Sequence, residues 1–154
     1  MNKLIDYSLR QATTDDFNLS YEIRKNALGE YVKQTWGWDE QWQLDYHKQD
    51  FNVNILQIIE VEGKPVGTIE SYNEGDYTVV SGLYLIDTYQ NRNIGGRIMK
   101  DLMHKAKSNG KSVKLQVLKV NIKARDFYER LGFDVYEENE THYKMIKLEM
   151  IYDL

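Results

Sequence analysis

Two stretches of the chain combine residue types and spacings that suit chemistry. The first runs Leu83-Tyr84-Leu85-Ile86-Asp87-Thr88-Tyr89-Gln90-Asn91-Arg92-Asn93-Ile94-Gly95-Gly96-Arg97, from an apolar strand through a polar turn into a helix. Backbone N–H groups at a helix start point outward, and the helix dipole adds partial positive charge there, so this turn suits a phosphate or pyrophosphate. Gly95 and Gly96 have no side chains and let an anion approach the backbone. A plain strand-to-helix turn with glycines reads the same way, so this stretch needs a second signal. Two familiar phosphate motifs are excluded. Gly110-Lys111-Ser112 imitates the end of a P-loop, but position 105 is Lys and the segment precedes a strand; the dinucleotide pattern GxGxxG is absent.

The second stretch is Asn121-Ile122-Lys123-Ala124-Arg125-Asp126-Phe127-Tyr128-Glu129-Arg130-Leu131-Gly132-Phe133. Asn121, Ala124 and Tyr128 stand at i, i+3 and i+7, one stripe of a helix, with Phe127 and Leu131 on the neighbouring, core-facing stripe. On that spacing Tyr128 presents a hydroxyl beside Asn121, a proton donor next to a hydrogen-bonding amide. The competing reading is structural: one of 12 tyrosines, half-buried at a helix edge.

Composition narrows what this chemistry could be. The 154 residues, 42% hydrophobic and 29% charged, suit one soluble domain with a proper core. The absence of cysteine excludes disulfides, zinc–thiolate sites and any acyl-cysteine intermediate, and fits a reducing cytoplasm. Met1 to Asp6 shows no long apolar stretch of a signal peptide, and no run approaches the ~18 apolar residues of a membrane span. The net charge of -4 is uneven: Asn91 to Arg130 carries +8 and the remainder -12. That suggests an anionic ligand for the basic segment and a cationic one elsewhere, although Lys100, Lys105, Lys107 and Lys111 read mainly as a solvated helix face. Neither nucleic acid nor membrane is an expected partner. The three histidines are widely separated, and no metal site is expected.

The elements that must position these residues follow from periodicity. A strand at Tyr7 to Ala12 leads to a cap at Thr13-Thr14-Asp15-Asp16 and a helix bearing Phe17, Leu19, Ile23, Ala27 and Tyr31. Trp36-Gly37-Trp38 ends it, and Asp39 caps a second helix carrying Trp42 and Tyr46. Strands Ile55 to Val61, Val66 to Tyr72 and Tyr77 to Ile86 follow, joined by turns containing Gly63 and Gly75. Ile94, Ile98, Leu102 and Ala106, with Met99 and Met103, form a helix face that stops at Asn109-Gly110. A strand at Val113, Leu115 and Val117, a helix from Asn121 to Gly132, and strands at Phe133 to Glu137 and His142 to Met150 complete the order βααβββαβαββ. The expectation is an α/β fold, a mixed sheet with helices on both faces, in a single domain over 1–154.

The two motifs, in this order with a strand between them, resemble the GNAT family of N-acetyltransferases, whose element order also matches along nearly the whole chain. The family's first motif, Gln/Arg-x-x-Gly-x-Gly/Ala, is matched by Gln90 to Gly95, with Asn93 in place of the first glycine. Asn tolerates the left-handed conformation that such a turn needs. The second, Asn-x-x-Ala-x-x-x-Tyr-x-x-x-Gly-Phe, is matched in full by Asn121 to Phe133. The resemblance implies a mostly antiparallel central sheet with acetyl-CoA as co-substrate, lying in a splay between the strand ending at Leu85-Ile86 and the strand from Val113. It implies that the Leu85 backbone and Asn121 bond the pantetheine arm, and that the backbone of Arg92, Asn93, Gly95, Gly96 and Arg97 holds the pyrophosphate. It further implies that Tyr128 protonates the departing thiolate after direct attack by an amine. A catalytically idle acyl-CoA-binding regulatory module of the same fold is the alternative, and the resemblance admits a homodimer.

For the base that deprotonates the amine, Glu70 on the central hairpin is the best candidate, directly or through water, with His142 and Tyr84 behind it. Tyr77 to Ile86 offers no acid. In the family the helical segment after the first strand walls the acceptor site; here it holds Tyr31, Trp36, Trp38, Trp42 and Tyr46 among Glu30, Asp39, Glu40 and Asp45. Aromatic faces with carboxylates suit an ammonium-bearing acceptor, a small amine or a peptide amine, with Trp36, Trp38 and Tyr84 expected in contact with it. Tryptophans anchoring two helices would give the same composition.

Overall fold

The computed structural model describes residues 5–149; Met1 to Leu4 and Met150, at the outer ends of the expected N-terminal and last-strand segments, lie outside them. The elements are β1 (Ser8–Gln11), α1 (Phe17–Trp36), α2 (Glu40–Asp50), β2 (Leu56–Val61), β3 (Lys64–Glu74), β4 (Tyr77–Leu85), α3 (Ile94–Ser108), β5 (Ser112–Leu118), α4 (Ile122–Arg130), β6 (Asp134–Glu138) and β7 (His142–Lys147). Short 3-10 turns at Thr14–Asp16 and Asp87–Tyr89 precede α1 and α3. The order is the one read from periodicity. Seven strands form one mixed, mostly antiparallel sheet, β1-β2-β3-β4-β5-β7-β6, in which β4 and β5 pair in parallel. By its internal contacts the chain forms two compact units: the described residues through Glu70 with Gly82–Gly95, and Ser71–Ser81 with the described residues from Gly96 onward.

In the first unit, β1 and β2 pair antiparallel, and β2 turns into β3 at Glu62 and Gly63, both at positive φ. Ile58, Ile59 and Val66 are fully buried. Arg10 grips Asp16 with two hydrogen bonds of 2.8 and 2.9 Å, and Thr13 and Asp16 form a capping box before α1. The guanidinium holds the Asp16 carboxyl down to about 2. Asp39 caps α2, its Oδ1 accepting the Trp42 N–H at 3.0 Å.

The face that α2 buries is not the one its composition suggests. Gln43 and His47 are buried, while Trp42 and Tyr46 are exposed. The polar pair is tolerated inside because each member has partners. Gln43 accepts from Arg24, and His47 Nε2 lies 2.9 Å from Ser20 Oγ and 3.2 Å from the Phe17 carbonyl. The rings of Phe17, Tyr21 and Phe51 surround His47. Burial lowers its pKa below 6.5 and keeps the imidazole neutral.

In the second unit, Ile98, Met99 and Ala106 form the buried face of α3. Its end is a Schellman motif: Lys111 N–H bonds the Ala106 carbonyl at 2.9 Å, and Gly110 N–H bonds Lys107 at 3.0 Å with Gly110 at φ 69°. Val113, Leu115 and Val117 alternate into the core along β5, which pairs antiparallel with β7 and sets Leu115 opposite Met145.

Candidate active site

The turn before α3 is built from both ends. Gln90 donates its side-chain N–H to the Leu85 carbonyl at 2.8 Å, and the Asp87 N–H is received by the side chain of Asn26 from α1 at 3.0 Å. Asn91 and Asn93 both take left-handed backbone, at φ 62° and 63°. Asn93 thus takes the left-handed place of the usual glycine at the small cost asparagine tolerates, and Asn91, not singled out from sequence, shares the bend. Arg92 stacks its guanidinium on Tyr89, 5.1 Å from the ring centroid. Gly95 is half-buried and Gly96 buried, so Gly95 is the more open of the two. The first four N–H groups of a helix have no partner within it, so these residues provide the donors that a pyrophosphate needs. Arg97 is half-buried on the first turn of α3.

On α4, Asn121 is the N-cap, its Oδ1 accepting the Ala124 N–H at 3.1 Å. That bond orients the carboxamide and leaves its –NH₂ as the donor end. Tyr128 departs from the stripe expected for it. It is 8% exposed, whereas Phe127 and Leu131, expected on the core side, are only half-buried. The Phe133 N–H bonds the Tyr128 carbonyl at 3.0 Å and the Gly132 N–H bonds Glu129 at 3.0 Å, with Gly132 at φ 97°. This is a second Schellman motif, and its hydrophobic contact is the Tyr128–Phe133 ring pair. The contact with Phe133 at the helix end covers part of the Tyr128 ring. His142 in the same unit sits 2.8 Å from Thr141 Oγ1 through Nδ1, its pKa lowered by burial.

Glu70 and Tyr84 belong to the first unit. Glu70 is half-buried on β3, opposite Leu56 of β2. The Tyr84 ring lies over Gly82, where a Cβ would come within 2.9 Å of it, so only glycine leaves that ring its place. Burial raises the Tyr84 pKa; Arg24 opposes the shift and Glu70 adds to it. Tyr46 is likewise raised by burial, with Asp50 and Glu70 adding and Arg24 opposing. Arg24, Tyr46, Glu70 and Tyr84 therefore form one electrostatic group, with Gln43 bound to Arg24. Arg24 and Gln43 were missed from sequence, because an arginine inside a helix and a glutamine beside tryptophans give no periodic signal.

The three tryptophans take different places in the fold. Trp38 packs on α1, where a Cβ at Gly29 would meet its ring at 3.7 Å, and it donates its indole N–H to Glu40 at 2.6 Å. The Lys25 ammonium lies 5.7 Å from its ring centroid. Glu40 also binds Lys25 and the Tyr21 hydroxyl, so Trp38 is committed to the α1–α2 junction, its π face taken by the chain's own cation. Trp36 is exposed at the end of α1. Trp42 and Tyr46 are exposed and stacked, with centroids 5.5 Å apart and planes 6° from parallel.

Residues 9–133 match the acetyltransferase (GNAT) family. The chain belongs to that family. It is 27% identical over 160 residues to an uncharacterized N-acetyltransferase of Methanocaldococcus jannaschii, covering 95% of this chain and 69% of the relative. The GNAT fold is shared with the PaiA N-acetyltransferase of Thermoplasma acidophilum, solved in complex with coenzyme A, at a TM-score of 0.76 and 16% identity over 94% of this chain and 99% of that one. It is also shared with Arabidopsis thaliana Naa50 in complex with the bisubstrate analogue CoA-Ac-MVNAL, at a TM-score of 0.62 and 16% identity over 92% and 97%. Among the described residues no helix is long and apolar enough to cross a membrane, and no group of three His, Asp or Glu is placed to hold a metal ion.

Proposed function

We propose that this GNAT protein is an acetyl-CoA-dependent N-acetyltransferase that passes the acetyl group directly to a primary amine. The observation that carries the reading is the Gln90–Arg97 turn, with Asn91 and Asn93 in left-handed backbone and Gly95 open at the first turn of α3. The cofactor supplies an activated acetyl thioester. Backbone N–H groups from Arg92 to Arg97 hold its pyrophosphate, the Leu85 backbone and the Asn121 –NH₂ hold its pantetheine arm, and neither duty calls on a side-chain charge. Glu70 takes a proton from the ammonium of the acceptor, directly or through a water. The amine nitrogen then bonds the acetyl carbon, the C–S bond breaks, and Tyr128 delivers its phenolic proton to the sulfur; the second proton, which the nitrogen sheds as the amide forms, passes through solvent to restore the phenol. A thiol has a pKa of about 8.5, so the thiolate is a fair leaving group and the general acid need supply only a modest effect. With no cysteine in the chain, the transfer needs no acyl-thiol intermediate. Tyr84 lies on the acceptor side with Glu70. The test is thiol release from acetyl-CoA across a panel of amines, amino acids and peptides. Amine-dependent release is expected; binding of acetyl-CoA without release to any acceptor would leave a CoA-binding module instead.

A further inference from the structure

In the first unit the Arg24 guanidinium takes no part in the chemistry above, yet several side chains hold it. It is half-buried on α1, and its Nη1 donates to Oε1 of the buried Gln43 at 3.1 Å. Its Cζ stands 5.4 Å from the ring centroid of Tyr46, one turn along α2 from Gln43. The Tyr84 phenol of β4 is beside it. Among the described residues no carboxylate forms an ion pair with Arg24. A guanidinium carries five N–H donors in a rigid plane; Gln43 takes one, the Tyr84 phenol oxygen is a second partner, and the Tyr46 ring offers a face, not a lone pair. What is fixed here is a cation with donors to spare, oriented by a buried amide and an aromatic ring. Glu70 supplies the one negative charge that acts on both phenols of the group. A fixed cation and a carboxylate in one group match a molecule carrying a positive and a negative end.

We propose that Arg24 binds a carboxylate of the acceptor, so that the amine substrate is amino-acid-like, bearing an amine and a carboxylate together. The inference rests on the acetyltransferase reading and narrows its substrate class. Glu70 receives the ammonium end, and Arg24 forks two N–H donors onto the carboxylate, the geometry in which arginine binds that group best. The exposed Trp42 ring, stacked on Tyr46, offers an apolar face to a side chain. A polyamine brings only positive charge against Arg24 and is a poor fit. The overall acidity of this region, read alone, pointed to a simple cation; the chain's own Lys25 and Arg24 already occupy the Trp38 and Tyr46 faces.

The experiment pairs each aliphatic and aromatic amino acid with its decarboxylated amine and compares kcat/KM for wild type, Arg24→Lys and Arg24→Gln. The expected wild-type preference for the carboxylate member is at least about tenfold, in line with a charge-assisted bidentate contact. It falls to about unity in Arg24→Gln and survives in part in Arg24→Lys, which keeps the charge but not the fork. Thermal denaturation checks each variant's fold, and where Arg24→Gln unfolds, the Arg24→Lys ratio decides. In parallel, calorimetry of N-acetyl amino acids against their carboxamides reads carboxylate binding without any turnover. Equal rates for both members of every pair, or a carboxylate preference that survives Arg24→Gln, overturns the role of Arg24 and leaves acetyl transfer standing. Arg24-dependent binding of N-acetyl amino acids with no thiol release from any amine sinks the transferase reading and upholds Arg24.

Discussion

The Tyr128 ring meets Phe133 at 68° with centroids 5.6 Å apart, while the Tyr128 carbonyl accepts the Phe133 N–H at 3.0 Å. One residue thus both closes the end of α4 and is assigned the proton for the leaving thiolate. Tyr128→Phe keeps the ring and its contacts with Phe127 and Phe133 and removes only the hydroxyl. The melting temperature should stay close to wild type, and kcat should fall roughly ten- to a thousandfold with acetyl-CoA KM little changed. Tyr128→Ala should in addition cost about 3 kcal/mol or more of stability, through the cavity it opens. Steady-state kinetics and thermal denaturation on both variants separate the two roles; wild-type kcat in Tyr128→Phe would reduce Tyr128 to packing.

The cofactor turn is tested at Gly95, because Gly96 is buried and a side chain there strikes the fold first. Gly95→Glu places a carboxylate where the pyrophosphate is expected. Calorimetry should show acetyl-CoA affinity reduced at least about tenfold in a protein that melts near the wild-type temperature. Unchanged affinity would move the pyrophosphate elsewhere.

Trp38→Leu should act on stability rather than on substrate. The indole contributes the Glu40 hydrogen bond, the contact over Gly29 and the Lys25 face. Their loss should cost about 1–3 kcal/mol in chemical denaturation, with the KM of the amine held within about twofold. A raised amine KM at full stability would place Trp38 at the acceptor site instead.

His47 gives the fold a pH dependence. Its folded pKa lies below the ordinary 6.5 because burial disfavours the imidazolium, so the unfolded chain binds the proton more readily. Its contribution to stability is full above about pH 6.5 and is lost as pH falls through the folded value. Melting temperatures between pH 7.5 and pH 5 should fall more steeply for wild type than for His47→Gln, which retains a donor for the Phe17 carbonyl. Parallel profiles would mean that groups other than His47 set the acid response.

These outcomes also mark how far the sequence could be read. The element order, the Asp39 and Asn121 caps and the Gly110 and Gly132 helix ends were legible, because each rests on a residue acting on its own neighbours. Ser20 and His47 were not, since they bond each other across 27 positions, which no local pattern shows. The same limit applies to the aromatic residues before and along α2. Composition shows that Trp38, Trp42 and Tyr46 are large and apolar, but Glu40, Lys25 and Gly29 decide that Trp38 turns in and the other two turn out. The Tyr128 stripe was misread because helical spacing does not register the turn of chain after Gly132 that brings Phe133 back onto its ring. Arg24 left no pattern at all, and only its meeting with Gln43 and Tyr46 gives it meaning.

Direct transfer without an acyl-protein stage is the centre of the account, and intact-mass spectrometry coupled to thiol detection tests it most directly. The protein is mixed with acetyl-CoA alone, and the accepting amine is then added. No acetylated protein is expected before the amine arrives, then one N-acetyl amide for each thiol released, in wild type and more slowly in Tyr128→Phe. An acetylated protein that forms first and decays as the amide appears, or thiol release with no amide from any amine, would contradict it.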